Sequence, residues 1–216
     1  MMDYLSLRKK MVEEQLIRRG ISDKKVIAAF LKVERHKFIP LQLEDSAYDD
    51  YPLPIGENQT ISQPYIVALM TECLCLTGKE VVLEIGTGSG YQAAILAELS
   101  KTVYTIERIV PLAQRAAGLF KSLGYSNIYL KIDDGALGWQ EYSPFDRIVV
   151  TAACPQIPPP ITAQLKTGGR LVLPVGDSVG QELLSVRKTG NGGIEADKIC
   201  GCVFVPLLGE YGFKGN

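Results

Sequence analysis

The stretch Glu84-Ile85-Gly86-Thr87-Gly88-Ser89-Gly90 joins a short apolar run, EVVLEIG, to a helical pattern, YQAAILAEL, and no other feature of the chain limits its fold so sharply. A continuous apolar run that leaves through glycines into a helix is the opening of a β-α-β unit with a buried parallel strand. The alternation continues downstream. TVYTIE reads as a second strand, VPLAQRAAGLFKSLG as a helix ending at Gly124, and NIYLKID as a third strand. FDRIVVTA is a fourth strand and GGRLVLPVG a fifth, after a short helix near Ile161 to Leu165. The pattern predicts an α/β fold, a doubly wound, mostly parallel Rossmann-like sheet with helices on both faces.

The flanks read differently. Leu7, Met11, Val12 and Leu16 keep helical spacing up to Gly20, and Ser22 is placed to cap a second helix bearing Val26, Ile27, Phe30 and Leu31. Residues 41–63 are rich in Pro, Gly, Asn and Asp and read as a long loop, a type that is usually functional. Pro64 opens a helix through Ile66, Met70 and Leu74 to Gly78. After residue 177, two strand patterns flank a Gly-rich turn, an antiparallel hairpin at the sheet edge. The expectation is one domain over 1–216, with N-terminal helices and a lid loop (1–63), a ligand-binding core (64–176) and a C-terminal hairpin (177–216).

The glycines do not carry a dinucleotide fingerprint, because Tyr91 stands where Gly-x-Gly-x-x-Gly needs its third glycine. Glu84 just before them would repel a pyrophosphate and favour a cation. S-adenosylmethionine fits that pattern, with a sulfonium, an ammonium and no phosphate. Glu107, 17 residues after Gly90 at the end of the second strand, is placed to accept from both ribose hydroxyls. Asp134-Gly135, after the third strand, is placed to accept from the adenine amino group. Each acid alone reads as an ordinary loop acid; three at successive strand ends make a nucleoside pocket.

Composition removes other chemistries. Lys plus Arg number 23 against 24 Asp plus Glu, net charge -1, which disfavours nucleic acid or an anionic membrane as partner. A single histidine, His36, excludes multi-histidine metal sites, and no metal is expected. The five cysteines read as buried free thiols. No apolar run approaches the roughly 20 residues needed to cross a bilayer, and no apolar stretch follows Arg8, Lys9 and Lys10 as a signal peptide requires. A cytoplasmic monomer is expected.

Several segments together resemble the protein-L-isoaspartate (D-aspartate) O-methyltransferase family: PLPIGENQTISQPYIVALMTE, VLEIGTGSGYQAAILAEL, YTIER, FDRIVVTAA, GGRLVLPVG and VFVPLLG, spanning about residues 5 to 209. The glycine loop is shared by many methyltransferases, whereas QTISQP, LVLPVG and FVPL are far more specific. The resemblance implies methyl transfer from S-adenosylmethionine to the α-carboxyl of L-isoaspartyl residues in damaged proteins. It places the active-site serine at Ser62. Cofactor contacts fall at Gln59, Thr60, Ile61, Ser62, Glu84, Gly86, Thr87, Gly88, Gly90, Glu107, Asp134 and Gly135, and substrate contacts at Ser62, Val205 and Leu207. Two positions depart from the family pattern: Asp133 stands in place of Gly, and Cys154 where Pro is common. Ser62 also lies just before a helix opened by Pro64, so a helix-cap role competes with a catalytic one. Asp49 and Asp50 read as solvated loop acids, with lid ordering the alternative for Asp50. His36 is given no role, and Trp139 and Tyr142 read as packing residues. The competing functions are a methyltransferase acting on RNA, DNA or a small molecule, a nucleotide-dependent dehydrogenase, and a binding module without transfer activity. The fourth strand leads into TAACPQIPPP, which lacks the polar residue and aromatic of amino-methylating enzymes.

Overall fold

The computed structural model describes residues 3–177 and 179–214. The first helix, α1 (Tyr4–Met11), is capped by the Asp3 carboxylate, which accepts from Ser6 N. It continues through a π-helical turn, Val12–Leu16, and a 3-10 turn, Ile17–Arg19, to Gly20, whose φ of 100° only glycine adopts freely. The cap of α2 (Lys24–Lys32) is Asp23, one residue later than expected. The backbone N–H groups of Ser22 and Asp23 both donate to Glu72 Oε1 at 2.7 Å, which leaves the Asp23 carboxylate to accept from Lys25 N.

The segment 41–63 is more ordered than a loop. A 3-10 turn, Leu41–Ser46, leads to an antiparallel hairpin of β1 (Leu53–Gly56) and β2 (Gln59–Ile61). Glu57 and Asn58 turn it with φ of 53° and 55°, positive at both central residues as in the tight hairpin turns that match strand twist. The helix α3 (Pro64–Cys73) follows.

Among the described residues, β3 (Val81–Ile85), β4 (Thr102–Glu107), β5 (Ile128–Ile132), β6 (Phe145–Val150), β7 (Leu165–Gly176), β8 (Gln181–Lys188) and β9 (Ile194–Cys202) form one sheet in the order β5-β4-β3-β6-β7-β8-β9. The strands β3 to β7 pair in parallel, and β8 and β9 add an antiparallel edge. The strand order reverses between β3 and β6, which opens a crevice beyond their carboxyl ends. No helix among the described residues is long and apolar enough to cross a membrane.

The two faces of the sheet are covered unequally. Val82, Val103 and Val149 lie under α2, α3, α4 (Tyr91–Leu99) and α5 (Val110–Ser122). Leu83, Ile85 and Ile148 face the other way, toward the short α6 (Pro159–Ala163) and Leu207. Between β5 and β6 the chain makes only 3-10 turns, Gly135–Leu137 and Gln140–Tyr142. Aromatic rings cover the strands there instead. Tyr142 and Tyr129 stack on Tyr104 at 4.3 and 5.3 Å, with Trp139 edge-on, the packing role expected of Trp139 and Tyr142. Burial of side chains such as Leu83 and Ile85 stabilises the sheet by about 1.5–3 kcal/mol each.

The entry to β3 is set by Glu80. Its carboxylate accepts from Thr77 N, Thr77 Oγ1, Gly78 N and Lys79 N. Burial pushes its pKa up, but these bonds outweigh it and hold the group at about 2. Glu80→Gln is therefore expected to cost about 1–3 kcal/mol at pH 7 in denaturant titrations. The stabilisation is fully present above the ordinary value of 4.5. The gap between wild type and variant closes as pH falls from there through about 2.

Candidate active site

Beyond the carboxyl ends of β3, β4 and β6 the glycine loop is clamped to its neighbours. Gly86 N and Thr87 N both donate to the Ile106 carbonyl, at 2.9 and 3.2 Å. Gly88 N donates to Glu107 Oε2 (2.8 Å), and Ile109 N donates to Glu107 Oε1 (2.9 Å). Gly86 has φ of 96°, and a Cβ there would lie 2.4 Å from Thr151 Oγ1, so the close approach of β6 requires glycine.

This loop forms one wall of a pocket. Gln59, Thr60, Ile61 and Ser62 of the hairpin form a second wall, and Val205 and Leu207 a third, with Gly86, Thr87, Gly88, Glu107 and Gly135 on the floor and side. The third wall is positioned by Ala153, whose N–H donates to Val205 O and whose carbonyl accepts from Leu207 N, each at 2.8 Å. The hairpin is fastened from outside. Arg115 Nη2 donates to Ile55 O (2.6 Å), and Gln63 Nε2 to Asp50 O (2.9 Å). Arg19 pairs with the Asp50 carboxylate at 2.8 Å and lies 3.5 Å over the Tyr65 ring. The Asp50 carboxylate thus ties this segment to Arg19 and is not simply solvated, while Asp49 accepts from Tyr51 Oη.

Three expected contacts do not line this pocket. Gly90 starts α4 with φ of 88°, where a Cβ would meet Phe120 Cε1 at 2.7 Å, so it serves the packing of α5. Asp134 has both oxygens engaged by backbone, Oδ1 by Ala136 N and Oδ2 by Glu210 N, each at 2.8 Å. It anchors the C-terminal segment. Glu84 is fully buried. Its Oε2 accepts from Thr105 Oγ1 at 2.5 Å, and its Oε1 has no partner. Burial, with Glu107's charge adding to it against the Thr105 bond, pushes its pKa to about 8. Burial therefore favours its neutral form, which weakens the attraction for a cation expected of its carboxylate.

Ser62 does line the pocket, and its competing role falls away: the cap position of α3 belongs to Gln63, with no side-chain cap bond. His36 is tied elsewhere, its Nδ1 bonded to Tyr48 Oη at 2.8 Å and its ring stacked on Tyr4. The departure at Asp133 is neutralised by Lys131. Cys154 is buried and pairs with Val175. The other thiols are less enclosed than expected, Cys75 exposed and Cys73, Cys200 and Cys202 half-buried. The pocket also contains residues the sequence did not single out, among them Gln92, Arg108 and Thr151. Arg108 and Thr151 follow the ends of β4 and β6, so their position was a usable signal. Gln92 Oε1 is buried without a partner.

The family model for Protein-L-isoaspartate(D-aspartate) O-methyltransferase (PCMT) matches residues 6–212. The chain belongs to this family. It is 56% identical over 213 residues to the protein-L-isoaspartate O-methyltransferase of Petrotoga mobilis, covering 98% of this chain and all of that one. It is 56% identical over 207 residues to that of Dictyoglomus turgidum, covering 96% and 94%. A solved protein-L-isoaspartate O-methyltransferase superposes with TM-score 0.85 at 29% identity, over 95% of this chain and 67% of that one. A putative family member from Plasmodium falciparum, in complex with S-adenosyl-L-homocysteine, superposes with TM-score 0.81 at 26% identity, over 96% and 99%.

Within this family member, Glu107 both clamps the loop and faces the pocket. Glu107→Ala is expected to weaken binding of S-adenosyl-L-homocysteine by about tenfold or more in calorimetry, the loss of one or more charge-assisted hydrogen bonds. Unchanged affinity would remove Glu107 from the binding site.

Proposed function

We propose that the protein methylates the α-carboxyl of L-isoaspartyl residues in damaged proteins, using S-adenosyl-L-methionine, and so starts their repair. The observation that carries this reading is the convergence on one pocket of the 59–62 hairpin, the clamped glycine loop with Glu107, and the Val205–Leu207 segment, in a chain matched by the family over residues 6–212.

The residues present fit the cofactor. Glu107 keeps lone pairs for ribose hydroxyls after accepting from Gly88 N and Ile109 N. The buried, unpartnered Gln92 Oε1 awaits a donor. When bound, S-adenosylmethionine supplies an activated methyl group. The chain's own residues supply position. Gln59 to Ser62 close the pocket from the hairpin side, and Val205 and Leu207 form an apolar wall that excludes water on the other.

No general base is required. The isoaspartyl α-carboxyl, with an ordinary pKa of about 3.5, is already ionised at pH 7. Ser62 offers a hydroxyl donor that orients the carboxylate, and positioning of this kind supplies roughly 7–11 kcal/mol of barrier reduction. The methyl ester leaves the pocket and cyclises by attack of the following backbone nitrogen, expelling methanol; water reopens the succinimide, in part as normal aspartate.

Ser62→Ala tests the role of the hydroxyl. It is expected to lower kcat on an isoaspartyl peptide by roughly tenfold to a hundredfold, a larger effect than on cofactor affinity, with Tm near wild type. A fall in Tm with kcat unchanged would make Ser62 structural. Repair itself is read by chromatography: repeated cycles with the methyl donor should convert an isoaspartyl peptide to its aspartyl form. Failure to convert it would sink the proposal.

A further inference from the structure

The two most exposed large apolar side chains among the described residues are Val179 and Val203, at 90% and 84%. Single exposed apolar residues are common on any protein, but these two are neighbours at one end of the sheet. Val179 lies in the turn from β7 to β8, and Val203 directly follows β9. Gln181 and Cys202, opposite each other in the β8–β9 ladder, are the last pair before them. The turn leaves the carboxyl end of β7, the side of the sheet on which the pocket opens. One buried side chain ties both segments down. Gln181 Nε2 donates to Asp177 O (3.0 Å), and Gln181 Oε1 accepts from Phe204 N (2.6 Å). Asp177 Oδ1 in turn accepts from Val179 N and Gly180 N, at 2.8 and 3.1 Å. The valines are therefore held in the open by anchored backbone.

Val203 stands two residues before Val205, which lines the pocket. Phe204 packs against the core on the helical face of the sheet, and Val205 against the core on the other face. That is the alternation of an extended segment, which puts Val203 on the same side as Val205, about 7 Å further from the pocket centre. The inner groups of this segment are spent, Val205 O and Leu207 N on Ala153. The Val205 N–H has no partner among the described residues and is free to hold a passing peptide.

We infer that Val203, with Val179 beside it, forms an apolar lip that takes the substrate side chain two residues from the isoaspartyl linkage, so that damaged sites with an aliphatic residue at that position are preferred. The inference rests on the pocket and its Val205–Leu207 wall receiving an isoaspartyl carboxylate, as proposed above. An extended peptide advances about 3.3 Å per residue. With the carboxylate at Ser62 and the peptide backbone beside Val205, the side chain two residues away reaches Val203. The lip lies on one side of the pocket, so the preference falls on one side of the linkage only. Its source is removal of the valine and substrate methyl groups from water. That contact is the same before and during methyl transfer, so it lowers KM and leaves kcat alone.

The test is steady-state methylation by the full chain of synthetic isoaspartyl peptides that differ only at the residue two before or two after the linkage, set to Leu, Gly, Lys or Glu. In the wild type, Leu should exceed Gly by about fivefold in kcat/KM at one of the two positions, through KM. Val203→Asp should lose that preference and favour Lys over Glu at the same position, and Val203→Lys should favour Glu over Lys. A charge preference that reverses between two variants is a readout that a purely structural Val203 would not move. Equal kcat/KM for Leu and Gly at both positions in the wild type, or the same charge preference in both variants, would overturn the inference while leaving the pocket assignment intact. Sedimentation showing a wild-type dimer that Val203→Asp dissociates, with the peptide preference unchanged, would make the lip a subunit contact instead. Failure of the wild type to methylate any of the isoaspartyl peptides would overturn the reading on which the inference rests.

Discussion

The end of β4 holds the active site together. Its Ile106 carbonyl takes two successive N–H groups of the glycine loop, and the Glu107 carboxylate takes a third while bridging to Ile109 at the start of α5. These bonds form only because β3 and β4 run parallel and in register, Ile85 opposite Ile106. The strand pairing therefore fixes the loop, and the loop fixes where a nucleoside ligand can lie. The other walls are hung on the same frame, the hairpin through Arg115 of α5 and the C-terminal segment through Ala153 beyond β6.

Such a frame suits a reaction that is mostly geometry. The nucleophile arrives ionised, so the site needs no proton acceptor, and the one histidine is left to pack between Tyr4 and Tyr48. What the site needs is enclosure and alignment. These come from a hairpin fixed at several points and from apolar side chains of a segment far along the chain.

Much of this was legible in the sequence. The strands and helices from residue 80 onward follow from apolar runs and their glycine exits. Residues 86–88, 107 and 135 follow from their places at strand ends, whereas 59–62 came only from the family resemblance; all of them line the pocket. The hairpin in 41–63 was not legible, because Glu57 and Asn58 make a turn that usually advertises itself with glycine. Asp134 was misjudged because its partner, Glu210 N, comes from 76 residues further on. Glu84 lies off the pocket because it is fully buried between β4 and β6, a burial that favours its neutral form and that the sequence alone does not reveal. Between β5 and β6 the stacked rings of Tyr104, Tyr129 and Tyr142 cover the sheet face as a helix would.

The central claim is that the pocket selects an α-carboxylate presented by an isoaspartyl linkage. Its most direct test is methyl transfer from labelled S-adenosylmethionine to two synthetic peptides that differ only in isoaspartyl versus normal aspartyl at one position. Base-labile label on the isoaspartyl peptide alone is the predicted result. Equal labelling of both, or label on neither while the cofactor binds, would contradict it.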